Sequence, residues 1–244
     1  WYAKIIGMRL ASTIDGVEKS TKFRDASWID DHLEIVQFHP SYSYDGFIEG
    51  YFPVHKKEEG PISFRIQDKV FKEMCQKAQD SPEENFTILI DEINRANLSD
   101  VFGEIFSALE YRNQSISLHY SGEPLLIPNN LFIIGTMNTM DKSTIEIDYA
   151  LMRRFQFIRV DPNPSVLEKI LLENKVDTKL IDEIKTKFIE TQKHFQLGHA
   201  YFKDIETKDD LQKLWEYQIS FMLQQYFGVI KQNIFRQIES IWST

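Results

Sequence analysis

Apolar positions along this chain repeat with two periods, and the change between them comes once. Up to about residue 161, short apolar runs alternate with helical stretches; beyond it the spacing is helical throughout. Residues 1–12 (WYAKIIGMRLAS) place Ile5, Met8 and Leu10 on a rough helical face that Gly7 weakens. The stretch from Thr13 to about Asp31 is polar and carries little periodicity. Residues 33–38 (LEIVQF) predict a strand. The aromatic and turn-rich residues 39–53 predict an ordered loop with a short helix. Residues 56–61 (KKEEGP) predict a solvated turn, and residues 70–78 a helix.

From Phe86 the signal sharpens. FTILI, residues 86–90, is the short apolar run expected of a central parallel strand covered on both faces. Ser99 reads as the N-cap of one helix, SDVFGEIFSALEYR, with Phe102, Ile105, Phe106 and Leu109 at helical spacing. SISLHYSGEPLLIP, residues 115–128, alternates and turns at Ser121-Gly122, which predicts a β-hairpin. LFIIGTMN, residues 131–138, reads as a second buried strand. IDYALMRRF, residues 147–155, reads as a short helix leading into a third strand, FQFIRV. Two prolines, Pro162 and Pro164, then mark a boundary, and Ser165 with Glu168 has capping-box spacing. Four helical faces follow, the last formed by Val229, Ile230, Ile234, Phe235, Ile238, Ile241 and Trp242. The expected organisation is an α/β unit over 1–161 and an all-helical unit over 162–244.

Composition narrows the function classes. A chain of 244 residues with 42% hydrophobic and 27% charged residues is expected to fold around a sizeable core. No apolar run approaches the roughly 20 residues that span a bilayer, so no membrane association is expected. Cys75 is the only cysteine, which excludes internal disulfides and thiolate zinc sites and points to a reducing compartment, the cytoplasm. A net charge of -9 argues against a whole-surface nucleic-acid binder and leaves room for a local basic groove. His194 and His199 have no metal-ligand spacing around them. The chain opens on Trp1, so it reads as a fragment or a processed form, and no glycine is followed by lysine. A phosphate loop of the form G-x-x-x-x-G-K-[ST] is therefore absent from this stretch.

Three constellations carry chemistry. The strand Ile88-Leu89-Ile90 delivers Asp91 and Glu92 to the carboxyl edge of a sheet, where open α/β folds bind ligands. One carboxylate there can help hold hydrated Mg²⁺, and the other can orient or deprotonate an attacking water. The second apolar strand ends at Asn138, whose amide offers a donor and an acceptor to a phosphate or a water. Arg153 and Arg154 close a short helix, and arginine suits stabilisation of charge on a transferring phosphoryl group. Each alone has an ordinary structural explanation: a solvated acidic turn, an Asn satisfying its own turn, a surface ion pair. Their order along the chain, with a helical unit after them, is the layout of an AAA+ NTPase.

The wording is closer still to one branch. VQFHPSYSYDGFIEGY (36–51), ILIDEINRANLSDVFGE (88–104), YSGEPLLIPNNLFIIGTMNTMDKS (120–143), IDYALMRRF (147–155) and LGHAYF (197–202) resemble the McrB-like AAA+ GTPases, motor subunits of McrBC-type modification-dependent restriction systems. The resemblance implies an α/β AAA+ parallel sheet sandwiched by helices, followed by a helical lid. It implies Asp91 as the Mg²⁺-associated Walker B aspartate and Glu92 as the catalytic glutamate. Asn138 matches sensor 1, and Asp141 the acidic residue of the MNTMDKS signature. Arg153 and Arg154 match the arginines that act on a neighbouring subunit's nucleotide, without distinguishing which is the finger. His39, Tyr42 and Tyr44 fall in a shared motif and read equally as approaching the nucleotide or a subunit interface, or as a packed aromatic loop.

By the same resemblance GTP is preferred over ATP, the chain forms a ring, a hexamer, and a McrC-like nuclease subunit cleaves modified DNA that the ring translocates. The missing phosphate loop departs from the family: the alignment starts the chain just after that loop, and the stretch as written is expected not to hydrolyse nucleotide well. Two competing readings are a non-catalytic ring-assembly subunit and a MoxR-like ATPase that remodels proteins.

Overall fold

The computed structural model describes residues 2–11, 13–14, 17–18, 26–54, 62–138 and 152–243. The chain divides into two compact units, Trp1–Phe157 and Ile158–Thr244.

In the first unit, α1 (Tyr2–Ala11) precedes a short antiparallel pair, β1 (Thr13–Ile14) and β2 (Val17–Glu18). Then come α2 (Ala26–His32), β3 (Leu33–Gln37), α3 (Tyr44–Phe47), β4 (Glu49–Val54), β5 (Ser63–Asp68) and α4 (Val70–Asp80). The remaining elements are β6 (Phe86–Asp91), α5 (Leu98–Phe102), α6 (Ile105–Glu110), β7 (Ile116–Ser117), β8 (Pro124–Leu125) and β9 (Leu131–Gly135).

The described sheet is parallel, in the order β3-β6-β9, with Gln37 opposite Asp91 and Ile90 opposite Gly135. The most apolar strand is therefore central, as burial on both faces requires. Successive side chains of β6 serve different faces. Phe86, Ile88 and Ile90 join Phe71, Met74, Cys75 and Ala78 of α4 in the main core, with Phe38, Phe47 and Phe102. Thr87 instead faces α1, where a Cβ on Gly7 would meet Leu33 at 3.0 Å and Thr87 at 3.4 Å. The glycine that weakens α1 as a helix is what lets it lie close on the sheet.

The predicted strands at 33–38, 86–90 and 131–138 and the hairpin turning at Ser121-Gly122 are present, the last as β7 paired with β8 and Gly122 at φ +68°. Several expectations need correction. The helix placed over 99–112 is two helices. Asn97, not Ser99, caps the first by accepting the Ser99 N–H, and Gly103 at φ +50° separates them. The loop at 39–53 gives way to β4, which pairs antiparallel with β5, an element absent from the expectation. The third strand, FQFIRV, does not form: residues 156–160 have no ladder partner among the described residues, and Ile158 is 79% exposed. A strand is stabilised by its neighbour's main chain, so an apolar run without one stays irregular. The capping box at Ser165 is replaced by Asn163, whose side chain accepts the Ser165 N–H with Pro164 in the first turn.

The second unit is helical: α7 (Pro164–Glu173), α8 (Thr178–Gln192), α9 (Lys208–Leu214), a π-helical turn (Trp215–Ile219), α10 (Ser220–Phe227) and α11 (Gln232–Trp242). Its core gathers Leu167, Leu171, Ile184, Phe188, Phe202, Leu223 and Ile238. Trp215 stacks on Trp242 at 5.1 Å, and the Trp242 indole N–H donates to Thr191 Oγ1. A capping box between Thr207 and Asp210 starts α9. Val229 and Ile230, expected on the last helical face, are almost fully exposed, because Gly228 at φ +56° ends α10 and α11 begins only at Gln232.

Candidate functional site

The carboxyl edge of the sheet is where β6 and β9 end side by side, and their ends are laced together. Thr136 N–H donates to the Ile90 carbonyl, and Ile93 N–H donates to the Thr136 carbonyl, both at 2.9 Å. Gly135 permits this approach, since a Cβ there would meet Ile93 Cδ1 at 2.9 Å. Thr136 Oγ1 donates to Asp91 Oδ1 at 2.5 Å and accepts the Glu92 N–H at 3.3 Å.

Glu92 sits in the left-handed region at φ 55°, ψ 44°, which costs a non-glycine residue about 1–2 kcal/mol. Its Oε2 accepts from Arg95 Nε at 3.2 Å. Asn94 is buried; its Nδ2 donates to the Asn138 carbonyl at 3.4 Å, and its Oδ1 makes no hydrogen bond to the described residues. Asn138 itself is exposed at the same edge. The structure thus brings together Asp91, Glu92 and Asn138, three of the residues singled out from sequence.

The two arginines separate. Arg154 is 11% exposed, pairs through Nη2 with Glu110 Oε2 at 2.8 Å, and lies over the Phe106 ring at 5.8 Å. Arg153 is exposed. Asp141 and the rest of the signature after Asn138 lie outside the described residues. Of the aromatic motif, Tyr44 is buried and donates to Glu104 Oε1 at 2.7 Å; burial, then that bond, push its pKa well up. Tyr42 stacks on Phe38.

Sequence reasoning missed Thr136, Asn94 and Arg95. Thr136 had a faint signal, a hydroxyl directly after an apolar strand; Asn94 and Arg95 had only their nearness to Glu92.

Among the described residues no cluster of three or more His, Cys, Asp or Glu is placed to hold a metal. A lone strand-end carboxylate beside a hydroxyl fits Mg²⁺, which keeps several waters and binds through one or two carboxylates plus phosphate oxygens. No helix among the described residues is long and apolar enough to cross a membrane.

Comparison with known proteins agrees with this fold. The AAA domain family, dynein-related subfamily, matches residues 16–155, and the McrB α-helical lid domain matches residues 178–229. The type IV methyl-directed restriction enzyme EcoKMcrB subunit of Escherichia coli (strain K12) is 38% identical over 221 residues, covering 80% of this chain and 47% of that protein. The type II restriction enzyme BsuMI component YdiS of Bacillus subtilis (strain 168) is 32% identical over 159 residues, covering 50% of this chain and 46% of that protein. The chain spans about half the length of these relatives. It belongs to the AAA domain family, in the dynein-related subfamily, and is McrB-like.

Proposed function

We propose that this chain is the nucleotide-hydrolysing motor module of a McrBC-like restriction system, with GTP preferred over ATP. The observation that carries the reading is the laced carboxyl edge, where Asp91, Glu92 and the Asn138 segment are held together by main-chain and hydroxyl hydrogen bonds. Water attacks the γ-phosphorus, the bond from that phosphorus to the β–γ bridging oxygen breaks, and nucleoside diphosphate and phosphate leave. Glu92 accepts the proton of the attacking water, and Asn138 orients that water or the γ-phosphate. Asp91 would hold Mg²⁺, which when bound neutralises charge on the phosphates. Asp141 belongs to the loop that couples hydrolysis to a partner.

The large subdomain runs to about residue 161 and the lid from 162. The module works as a ring, a hexamer, in the cytoplasm. Arg153 reaches the neighbouring subunit's nucleotide, while Arg154, tied to Glu110, anchors the adjoining backbone. A McrC-like nuclease subunit is the partner, and DNA is translocated through the assembled complex so that the partner cleaves it.

The test is turnover by the full-length protein with GTP and ATP, with and without the neighbouring nuclease subunit. GTP turnover that rises with the partner and is lost in Glu92→Gln, with nucleotide binding retained, is the expected result. Unchanged turnover in Glu92→Gln would remove Glu92 from the chemistry.

A further inference from the structure

We propose that Thr136 is a positioning residue of this site, whose hydroxyl sets both carboxylates of the 91–92 pair through one atom. The inference rests on the NTPase reading above. A hydroxyl donates and accepts at once, and Thr136 Oγ1 does both: it donates to Asp91 Oδ1 at 2.5 Å and accepts the Glu92 N–H at 3.3 Å. The Thr136 main chain is fixed at both polar atoms, N–H to Ile90 and carbonyl to Ile93, so the hydroxyl cannot drift from β6 without breaking the lacing.

Two consequences follow for the chemistry. Asp91 commits one oxygen to Thr136, and its other oxygen makes no hydrogen bond to the described residues, which leaves it for the waters of a bound Mg²⁺. Glu92 receives an acceptor for its N–H in the left-handed backbone that turns its side chain out of the strand. Valine keeps the shape of threonine and removes both interactions. Serine keeps both and removes a methyl.

The experiment uses the full-length protein with Thr136→Val and Thr136→Ser. A fluorescent, non-hydrolysable GTP analogue is titrated with MgCl2, and steady-state turnover is measured in parallel. Thr136→Val should raise the half-saturating Mg²⁺ concentration about tenfold and lower kcat at least about tenfold, from loss of a charge-assisted hydrogen bond. Its nucleotide KM at saturating Mg²⁺ should stay within about threefold, and Thr136→Ser should stay within about threefold of wild type in every readout. Where urea unfolding shows that Thr136→Val does not fold, Thr136→Ala takes its place. Wild-type Mg²⁺ dependence and kcat in the hydroxyl-free chain overturn the inference, as does Thr136→Ser being as impaired as Thr136→Val. Those results leave the NTPase reading standing. A wild-type protein without turnover of GTP or ATP overturns the reading, and the inference with it.

Discussion

Glu49 shows how much one buried residue can hold. It opens β4 with no solvent exposure, and its Oε1 accepts the N–H groups of Tyr120 and Ser121 at 3.0 and 2.9 Å. Lys72 lies 3.7 Å from its other oxygen and also pairs with Asp68 and Glu123. The node ties the β4–β5 hairpin to the β7–β8 turn across α4. Burial alone would raise the carboxyl's pKa; the Ser121 and Tyr120 donors and Lys72 outweigh it and hold it below the usual range. A depressed native pKa contributes stability that is present above the unfolded value and lost as pH falls through the native one. Glu49→Gln should lower stability at pH 7 by about 1–2 kcal/mol in urea unfolding, because a neutral amide oxygen accepts the Tyr120 and Ser121 N–H groups more weakly than a carboxylate. The difference from wild type should shrink as pH falls below roughly 4.5. A difference that does not change with pH would mean that Glu49 acts by packing alone.

At the scale of elements, Gly103 decides where a helix stops. Its φ of +50° and ψ of −128° lie outside the range of L side chains, and the Tyr44 ring sits 3.2 Å from where a Cβ would be. The break separates α5 from α6 and puts Glu104 where Tyr44 and the His119 N–H both donate to it. Gly103→Ala should lower stability by about 2 kcal/mol, read as a shift in the urea midpoint. Unchanged stability would mean that the variant runs one continuous helix over 98–110 at no cost. In the second unit, Thr207→Ala should cost about 1 kcal/mol, since it removes the hydroxyl that accepts the Asp210 N–H at the start of α9.

For the assembled molecule, the split between the two arginines gives a complementation test. Arg153→Ala should leave stability within about 0.5 kcal/mol of wild type, as expected of an exposed side chain, and abolish turnover. Arg154→Ala should lose about 1 kcal/mol of stability, because it removes a mostly buried guanidinium from its pair with the exposed Glu110 and from the Phe106 ring. If Arg153 serves the neighbour's nucleotide, mixing Arg153→Ala subunits with Glu92→Gln subunits should restore turnover that neither has alone. The former supply intact carboxylates and the latter intact arginines. No recovery in mixed rings would place Arg153 in cis.

The sequence by itself determined the elements whose cause is local. Ile88-Leu89-Ile90 is a central strand because every side chain in it is apolar. The hairpin at Ser121-Gly122 turns where a glycine tolerates positive φ. The second unit is helical because its apolar residues recur at helical spacing. Asp91, Glu92 and Asn138 were legible because polar residues that end apolar parallel strands must sit at one edge of the sheet.

Tertiary structure decided what depends on residues far apart in the chain. Gly103 breaks a helix against Tyr44, and Gly7 and Gly135 are needed because Leu33 and Ile93 pack against them. The run FQFIRV has no ladder partner among the described residues, and Arg154 is tethered because Glu110 and Phe106 stand beside it. Thr136 became visible only when the ends of β6 and β9 were brought within hydrogen-bonding distance, since periodicity records which face a residue serves and not which atom it meets there.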